Sequence, residues 1–281
     1  MLEVTSHGPI TAICLAKTLL GRPLHTVIVY LVDGLLIDSG PPHTAGEMAA
    51  WCRGQPIDRI VNTHHHEDHC GANERLQREL GVPVYASPLT AALLADLPRI
   101  QLYRQAVWGR PRNLVAQPLD RRLETDHHTF EVIPTPGHCP DHICLWEPHQ
   151  GWLFSGDLFI HERVRYLRVD EDLGALIESL RRALALRPRL LVCAHAGVVT
   201  DACGALERKI AYWADLQAQA QTLARAGLTP RQMMNRLLGP EGRITRVSCG
   251  HISQINLVRA LLSAEPIGSA NPDQKGMEHH A

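Results

Sequence analysis

Four times in this chain a short, β-prone apolar run leads into a residue able to hold a cation. Ile60-Val61 leads into Thr63-His64-His65-His66-Glu67-Asp68-His69, and Phe130 to Ile133 leads through Pro134-Thr135-Pro136-Gly137 to His138. Trp152-Leu153-Phe154 leads through Ser155-Gly156 to Asp157, and Leu190 to Ala194 ends on His195. Ligand-type residues recurring where strands stop predict one shared rim of an α/β sheet, because loops converge there while the strands beneath stay rigid.

The first stretch is the densest. On a helix, at about 100° per residue, His64 and Asp68 share a face while His66 points away. An extended segment that then turns puts His64 and His66 on one side and delivers Asp68 and His69 a few ångströms further on, as two adjacent cations require. Neutral imidazole and carboxylate suit zinc and its first-row neighbours. A solvated polar loop is the bland alternative in a chain with 17 His, and the three other strand ends weigh against it.

The ordered set HxHxDH, PGH, SGD and a late His resembles the metallo-β-lactamase-fold hydrolases, from about Ile10 to about Val199. The resemblance implies an αββα sandwich and two divalent metal ions, zinc first, with iron or manganese as alternatives. It implies that His64, His66 and His138 hold one metal, that Asp68, His69 and His195 hold the other, and that Asp157 bridges them. It further places the acidic Asp38 of LLIDSG behind the site, orienting a ligand His through its other N–H; a turn-forming Asp is the parallel reading. Asp68 is expected to act in catalysis as well as in binding. The run His138-Cys-Pro-Asp141-His142 is similar to the GHxxDH pattern of relatives of the β-lactamase-like endoribonucleases and of some family thioesterases. His142 is therefore a candidate catalytic residue, for proton transfer or ligand support, beside the plainer reading of a strand-initiating His bonded to backbone.

Two cations sharing a carboxylate lower the pKa of a water held between them, to near 7 in the one-zinc case, and so supply a bridging hydroxide without a Ser or Cys nucleophile. Neither a GxSxG elbow nor a GxxxxGK[ST] loop occurs. Asp157 occupies the bridging position where secreted β-lactamases of this fold often use a Cys-based ligand, and His66 stands where the diiron flavoproteins have Glu. Antibiotic hydrolysis and electron transfer are both disfavoured.

A formal net charge of −1 argues against general nucleic-acid affinity. With no export-type N-terminus and no apolar run near the ~18 residues of a membrane span, a cytoplasmic location is expected. The eight Cys form no CxxC pair, and Cys70 and Cys139, each directly after a proposed ligand His, read as packing residues in preference to ligands or redox sensors.

Strands are expected at Thr26–Val32, Leu35–Asp38, Arg59–Asn62, Val82–Ala86, Phe130–Pro134, His142–Glu147, Trp152–Ser155 and Leu190–Ala194, with Asp33-Gly34 as a hairpin turn. Helices are expected at Gly71–Leu80, Leu89–Asp96, Leu173–Arg187 and Cys203–Ala226. Residues 97–125 mix Pro, Arg and aromatics, and the resemblance makes them an insertion or lid flanking the site. Residues 1–204 are the expected catalytic domain and 205–264 a helical appendage, followed by a disordered tail from 265 to 281. Arg231, Arg236, Arg243, Arg246 and Arg259 against Glu241 give the appendage a basic excess, with Arg243 and Arg246 expected to contact an anionic handle. His161, Arg163, Arg165 and Tyr166, just after Asp157, are placed to reach a substrate. The leading substrate class is a small anionic thioester or ester of acyl-glutathione or acyl-CoA type. A phosphodiester such as RNA is the alternative, and a non-catalytic binding module the third reading.

Overall fold

A computed structural model describes residues 1–268, which form two facing sheets with helices on both outer sides. The first sheet contains, in chain order, β1 (Leu2–His7), β2 (Ile10–Leu19), β3 (Arg22–Val32), β4 (Leu35–Ile37), β5 (Arg59–Asn62), β6 (Val84–Ala86) and β7 (Gln117–Pro118). Strands β1 to β4 form an antiparallel meander, and β4 to β7 run parallel. Helix α1 (Ala45–Cys52) connects β4 to β5; α2 (Glu67–Cys70) and α3 (Asn73–Leu80) connect β5 to β6; α4 (Pro88–Ala95) and α5 (Leu102–Val107) connect β6 to β7.

The second sheet contains β8 (Arg122–Glu124), β9 (Thr129–Pro134), β10 (Ile143–Glu147) and β11 (Trp152–Gly156). After the short β12 (Leu167–Arg168) and α6 (Leu173–Ala185) come β13 (Leu190–Cys193) and β14 (Gly197–Val199), giving the order β14-β13-β11-β10-β9-β8. The chain continues through α7 (Ala202–Arg225), α8 (Pro230–Leu237), α9 (Arg243–Val247), β15 (Ile252–Ser253) and α10 (Gln254–Ser263), and β15 pairs with β12.

Period-two alternation builds the layers. Along β3, Val27, Val29 and Leu31 pack with Met48 of α1 and Leu76 of α3, whereas Tyr30 and Val32 face the second sheet and meet Phe130 and Phe154. The Tyr30 hydroxyl donates to the carbonyl of Cys193 at 2.6 Å and so ties the sheets together beneath the rim. A third apolar cluster covers the far side of the second sheet, where Leu153 and Leu191 meet Leu180 of α6, Trp213 of α7, Met233 of α8 and Leu257 of α10.

The αββα sandwich with C-terminal helices agrees with the sequence expectation. Asp33 and Gly34 have φ of 47° and 76°, the paired positive values of a tight hairpin turn. The sequence reading places no strand before Thr26, yet β1 and β2 are present and β3 starts at Arg22. Strand β1 is a largely exposed edge whose Thr, Ser and Glu blur the apolar signal. The division expected after residue 204 falls in the first turn of α7, and the helices beyond it share the core of the second sheet. The tail reading is corrected over residues 265–268: Ile267 is buried, and its N–H donates to Gln217 Oε1 at 2.7 Å. The remainder of that expected tail, with His279 and His280, lies outside the described residues. No helix among the described residues is long and apolar enough to cross a membrane.

Candidate metal centre

Beyond β5 the chain bends through Thr63, His64 and His65, is extended at His66, with φ −65° and ψ 147°, and then turns into the four residues of α2. The turn after His66 agrees with the sequence expectation, whereas the stretch before it is bent, not a continued strand. The other three strand ends arrive at the same place. His64, His66, His138 and Asp157 offer donor atoms that all lie within 4.8 Å of one another, and so do Asp68, His69, Asp157 and His195. Asp157 belongs to both groups. Every member is buried except His195, which is partly open to the cleft.

The hydrogen bonds fix which imidazole nitrogens face inward. Thr63 Oγ1 donates to Asp38 Oδ2 at 2.8 Å, so it accepts from His64 Nδ1–H at 3.0 Å. His138 Nδ1–H donates to Glu171 Oε1 at 2.8 Å, His69 Nδ1–H to Asp38 Oδ2 at 2.7 Å, and His195 Nδ1–H to the Thr26 carbonyl at 2.9 Å. All four rings therefore aim an Nε2 lone pair into the site. His66 Nδ1, at 2.9 Å from His64 Nε2 and 3.0 Å from His138 Nε2, has at most one proton for two lone pairs. His69 Nε2 and Asp157 Oδ1 are buried without a hydrogen-bond partner although only 3.2 Å apart. Converging lone pairs and an orphaned carboxylate oxygen are costly until a cation sits among them, so the donor set fits divalent metal.

Protonation tendencies agree. Burial first, and then neighbouring positive groups, His69 for one and Arg168 for the other, hold His64 and His66 well below the usual imidazole range, in the neutral form a metal needs. At His69 and His195 burial pulls the same way, but the surrounding carboxylates, Asp157 with Asp68 and, at His69, Asp38, together outweigh it, and His195 is raised to about 9. Those two rings take a proton where a cation would otherwise neutralise the carboxylates.

His142 requires correction as a proton-transfer group. Its Nδ1 bonds Thr135 Oγ1 at 2.8 Å, its Nε2 accepts the backbone N–H of Asp157 at 3.0 Å, and burial lowers its pKa to about 3. Both nitrogens are committed, so the ring is a neutral strut that sets where Asp157 stands. Gly156 has φ of 46°, and a Cβ there would lie 2.7 Å from that same Nε2, so only glycine lets Asp157 approach its strut. Asp141 anchors the heptad from behind, accepting His65 N–H at 2.9 Å and pairing with His65 Nδ1 at 2.8 Å. Cys70 Sγ donates to the His65 carbonyl at 3.1 Å, and burial raises the pKa of both Cys70 and Cys139, which keeps them as thiols.

The sequence reading missed Glu171 and Arg168. Arg168 donates to the His138 carbonyl at 2.7 Å and pairs with Asp170 at 3.1 Å; Glu171 orients His138. Both lie in the polar run Arg-Val-Asp-Glu-Asp, whose composition suggests an ordinary solvated loop. We expect Glu171→Gln to weaken metal affinity at the three-His group about tenfold to a hundredfold, read by competition with a chromophoric chelator, with the fold unchanged by circular dichroism.

A cleft of about 500 Å³ opens onto the donor groups. Tyr103, Arg104, Val107 and Trp108 form one wall, so this part of the 97–125 segment flanks the site; α5 is fixed there by Arg104, whose guanidinium makes two bonds of 2.7 and 2.6 Å to buried Glu67. Of the four residues expected to reach substrate after Asp157, Tyr166 lines the cleft; Arg165 instead donates to the Leu238 carbonyl, and neither His161 nor Arg163 is part of the lining. Arg243 and Arg246, expected to contact an anionic handle, are not part of the cleft lining. In α9 these two share the exposed side, and Ile244 and Val247 line the cleft.

Residues 23–195, well over half of the chain, match the model of the metallo-beta-lactamase superfamily. A hydroxyacylglutathione hydrolase from Rhodospirillum rubrum is 31% identical over 148 residues, covering 52% of this chain and 51% of its own. The chain thus spans about half the length of that relative. Among solved structures, a beta-lactamase domain protein from Burkholderia ambifaria superposes with a TM-score of 0.69 over 92% of this chain and 86% of its own, at 18% identity. A protein solved in a di-iron-bound form gives a TM-score of 0.53 and 30% identity, covering 66% of this chain and 94% of its own. Family model, fold and the four converging strand ends agree that the chain belongs to the metallo-beta-lactamase superfamily.

Proposed function

We propose that this protein is a metal-dependent hydrolase of carboxylic thioesters or esters. In this reading His64, His66 and His138 hold one divalent cation, Asp68, His69 and His195 a second, and Asp157 is shared. The carrying observation is the set of inward lone pairs around an orphaned Asp157 oxygen, buried at the floor of a ligand-sized cleft. Such cations, when bound, acidify water to near neutrality and polarise a carbonyl. The chain's own part is to orient and exclude. Asp38, Glu171 and the Thr26 carbonyl lock ring tautomers, and His142 sets Asp157. Asp68, whose Oδ2 lies 3.8 and 3.7 Å from His69 and His195 Nε2, also lines the cleft and is the carboxylate placed to hold a proton during turnover.

The name of the Rhodospirillum rubrum relative, a hydrolase of a glutathione thioester, supports the thioester class. A phosphodiester has less support: the two arginines that line the cleft are both paired with carboxylates. Zinc suits the His/Asp donor set, and the di-iron relative makes iron its competitor. Mass-spectrometric metal analysis of the purified protein is expected to find about two ions per chain. The same preparation, assayed on neutral thioesters, aryl esters and bis(p-nitrophenyl) phosphate, is expected to hydrolyse the first two classes. Absence of metal after reconstitution, or turnover of the phosphodiester alone, would overturn this reading.

A further inference from the structure

Beside its donor groups the cleft is lined by apolar carbon. Three separate segments each supply a pair of apolar side chains: Val107 and Trp108 from the end of α5, Ile160 and Val164 from the loop after β11, and Ile244 and Val247 from α9. Alternate residues of the β11 loop turn outward, Arg163 and Arg165 being exposed, and in α9 the exposed Arg243 and Arg246 leave Ile244 to the cleft. The pattern turns Val164 and Ile244 inward and charge outward on two independent elements, while Val247, which also lines the cleft, is itself 57% exposed. No lysine lines the cleft among the described residues, and its two arginines are taken, Arg104 by Glu67 and Arg168 by Asp170 and Glu171.

Ile160 adds a second observation. It is a β-branched residue held at φ of 54°, a conformation such side chains rarely adopt, and it is kept there while lining the cleft. The buried ammonium of Lys209 donates to the carbonyls on either side of it, Phe159 and His161. A strained backbone clamped from both flanks gives the apolar wall a fixed shape.

From this wall we infer that the protein selects thioesters or esters whose acyl group is an uncharged hydrocarbon chain, and that glutathione-sized ionic groups are not what it grips. The inference rests on the proposed hydrolase reading and narrows it. At the six apolar side chains a glutathione carboxylate would meet carbon, an unfavourable exchange for its water, and both arginines of the lining are already paired. A methylene buried in the same place gains about threefold to fourfold in binding.

The test is a chain-length series of neutral N-acetylcysteamine thioesters, acetyl to decanoyl, set beside S-lactoylglutathione, with metal-reconstituted protein. Expected is a rise in kcat/KM of about threefold per methylene until the cleft is filled, with S-lactoylglutathione well below octanoyl. Ile244→Asp and Val164→Asp flatten that rise. Calorimetry with non-hydrolysable S-alkyl thioethers, run on metal-loaded and metal-free protein, supplies a readout independent of turnover. Affinity rises and the heat-capacity change grows more negative with chain length. Hydrolysis without chain-length dependence, or S-lactoylglutathione as the better substrate, overturns this inference and leaves the hydrolase reading intact. Absence of all hydrolysis overturns the hydrolase reading; the acyl-arm inference is then upheld by graded thioether affinity and overturned by a flat series.

Discussion

Replacing Asp157 with Ala is expected to remove most of the bound metal and to lower thioester turnover by about two orders of magnitude or more. No other side chain belongs to both donor groups, and its Oδ1 lies 3.2 Å from both His69 and His195 Nε2 while its Oδ2 lies 3.1 Å from His138 Nε2. Without it two sets of imidazoles face each other with no shared counter-charge. Metal per chain and kcat/KM on one thioester, measured on the same preparation, check the prediction; full metal loading and full rate would refute the assignment. Cys70→Ala and Cys139→Ser are the matched controls, expected to leave metal content unchanged because neither thiol completes the two groups.

Arg104→Ala is expected to cost about 3–5 kcal/mol of stability. Glu67 sits between His66 and Asp68 at 1% exposure, and Arg104, at 8%, is its bidentate partner. Removing the guanidinium leaves a buried carboxylate unpaired. Burial already raises the pKa of Glu67 with Arg104 opposing, so the variant's folded-state pKa rises further above the ordinary value of 4.5. A carboxylate with a raised folded pKa destabilises increasingly as pH rises above its unfolded pKa. The loss relative to the parent is therefore expected to grow with pH until the variant's folded pKa is passed, and to shrink as pH falls toward the parent's folded pKa, itself above 4.5. Urea unfolding at several pH values reads this directly. Arg104→Met with Glu67→Gln, which removes both charges, should recover much of the loss; no recovery would mean that α5 is held by packing instead.

Both predictions draw on residues that were not equally visible in the sequence. The donors were legible because each ends an apolar run, and a strand end has one direction in which to deliver its next residue. Asp38 could be read for the same reason. Glu171 could not, since its partnership with His138 depends on the bend between β11 and α6, and nothing in Val169-Asp170-Glu171 separates it from a solvated loop. Arg243 and Arg246 show the opposite error. Counting charge along a segment says nothing about its facing, and a step of one residue, about 100° around the helix, was enough to exchange the expected arginines for Ile244 and Val247. Short helices such as α5 and α9, with too few residues to show a period, escaped for want of signal. His142 had the right neighbours for catalysis, but its hydrogen-bond partners, Thr135 and the Asp157 backbone, come from other strands.

The apolar cluster that Leu153 and Leu191 share with α6, α7, α8 and α10 makes the C-terminal helices part of the wall that supports the metal loop. Lys209 of α7 carries that support to within two residues of Asp157, through the carbonyl of Phe159. A protease that cuts the exposed link at Gly227 should therefore release no separate catalytic core: the two pieces stay together and melt together. A chain ended at residue 204 would leave Leu176, Leu180 and Leu191 bare, a sticky surface destined for aggregates. Activity and the last helix should thus be lost at one temperature.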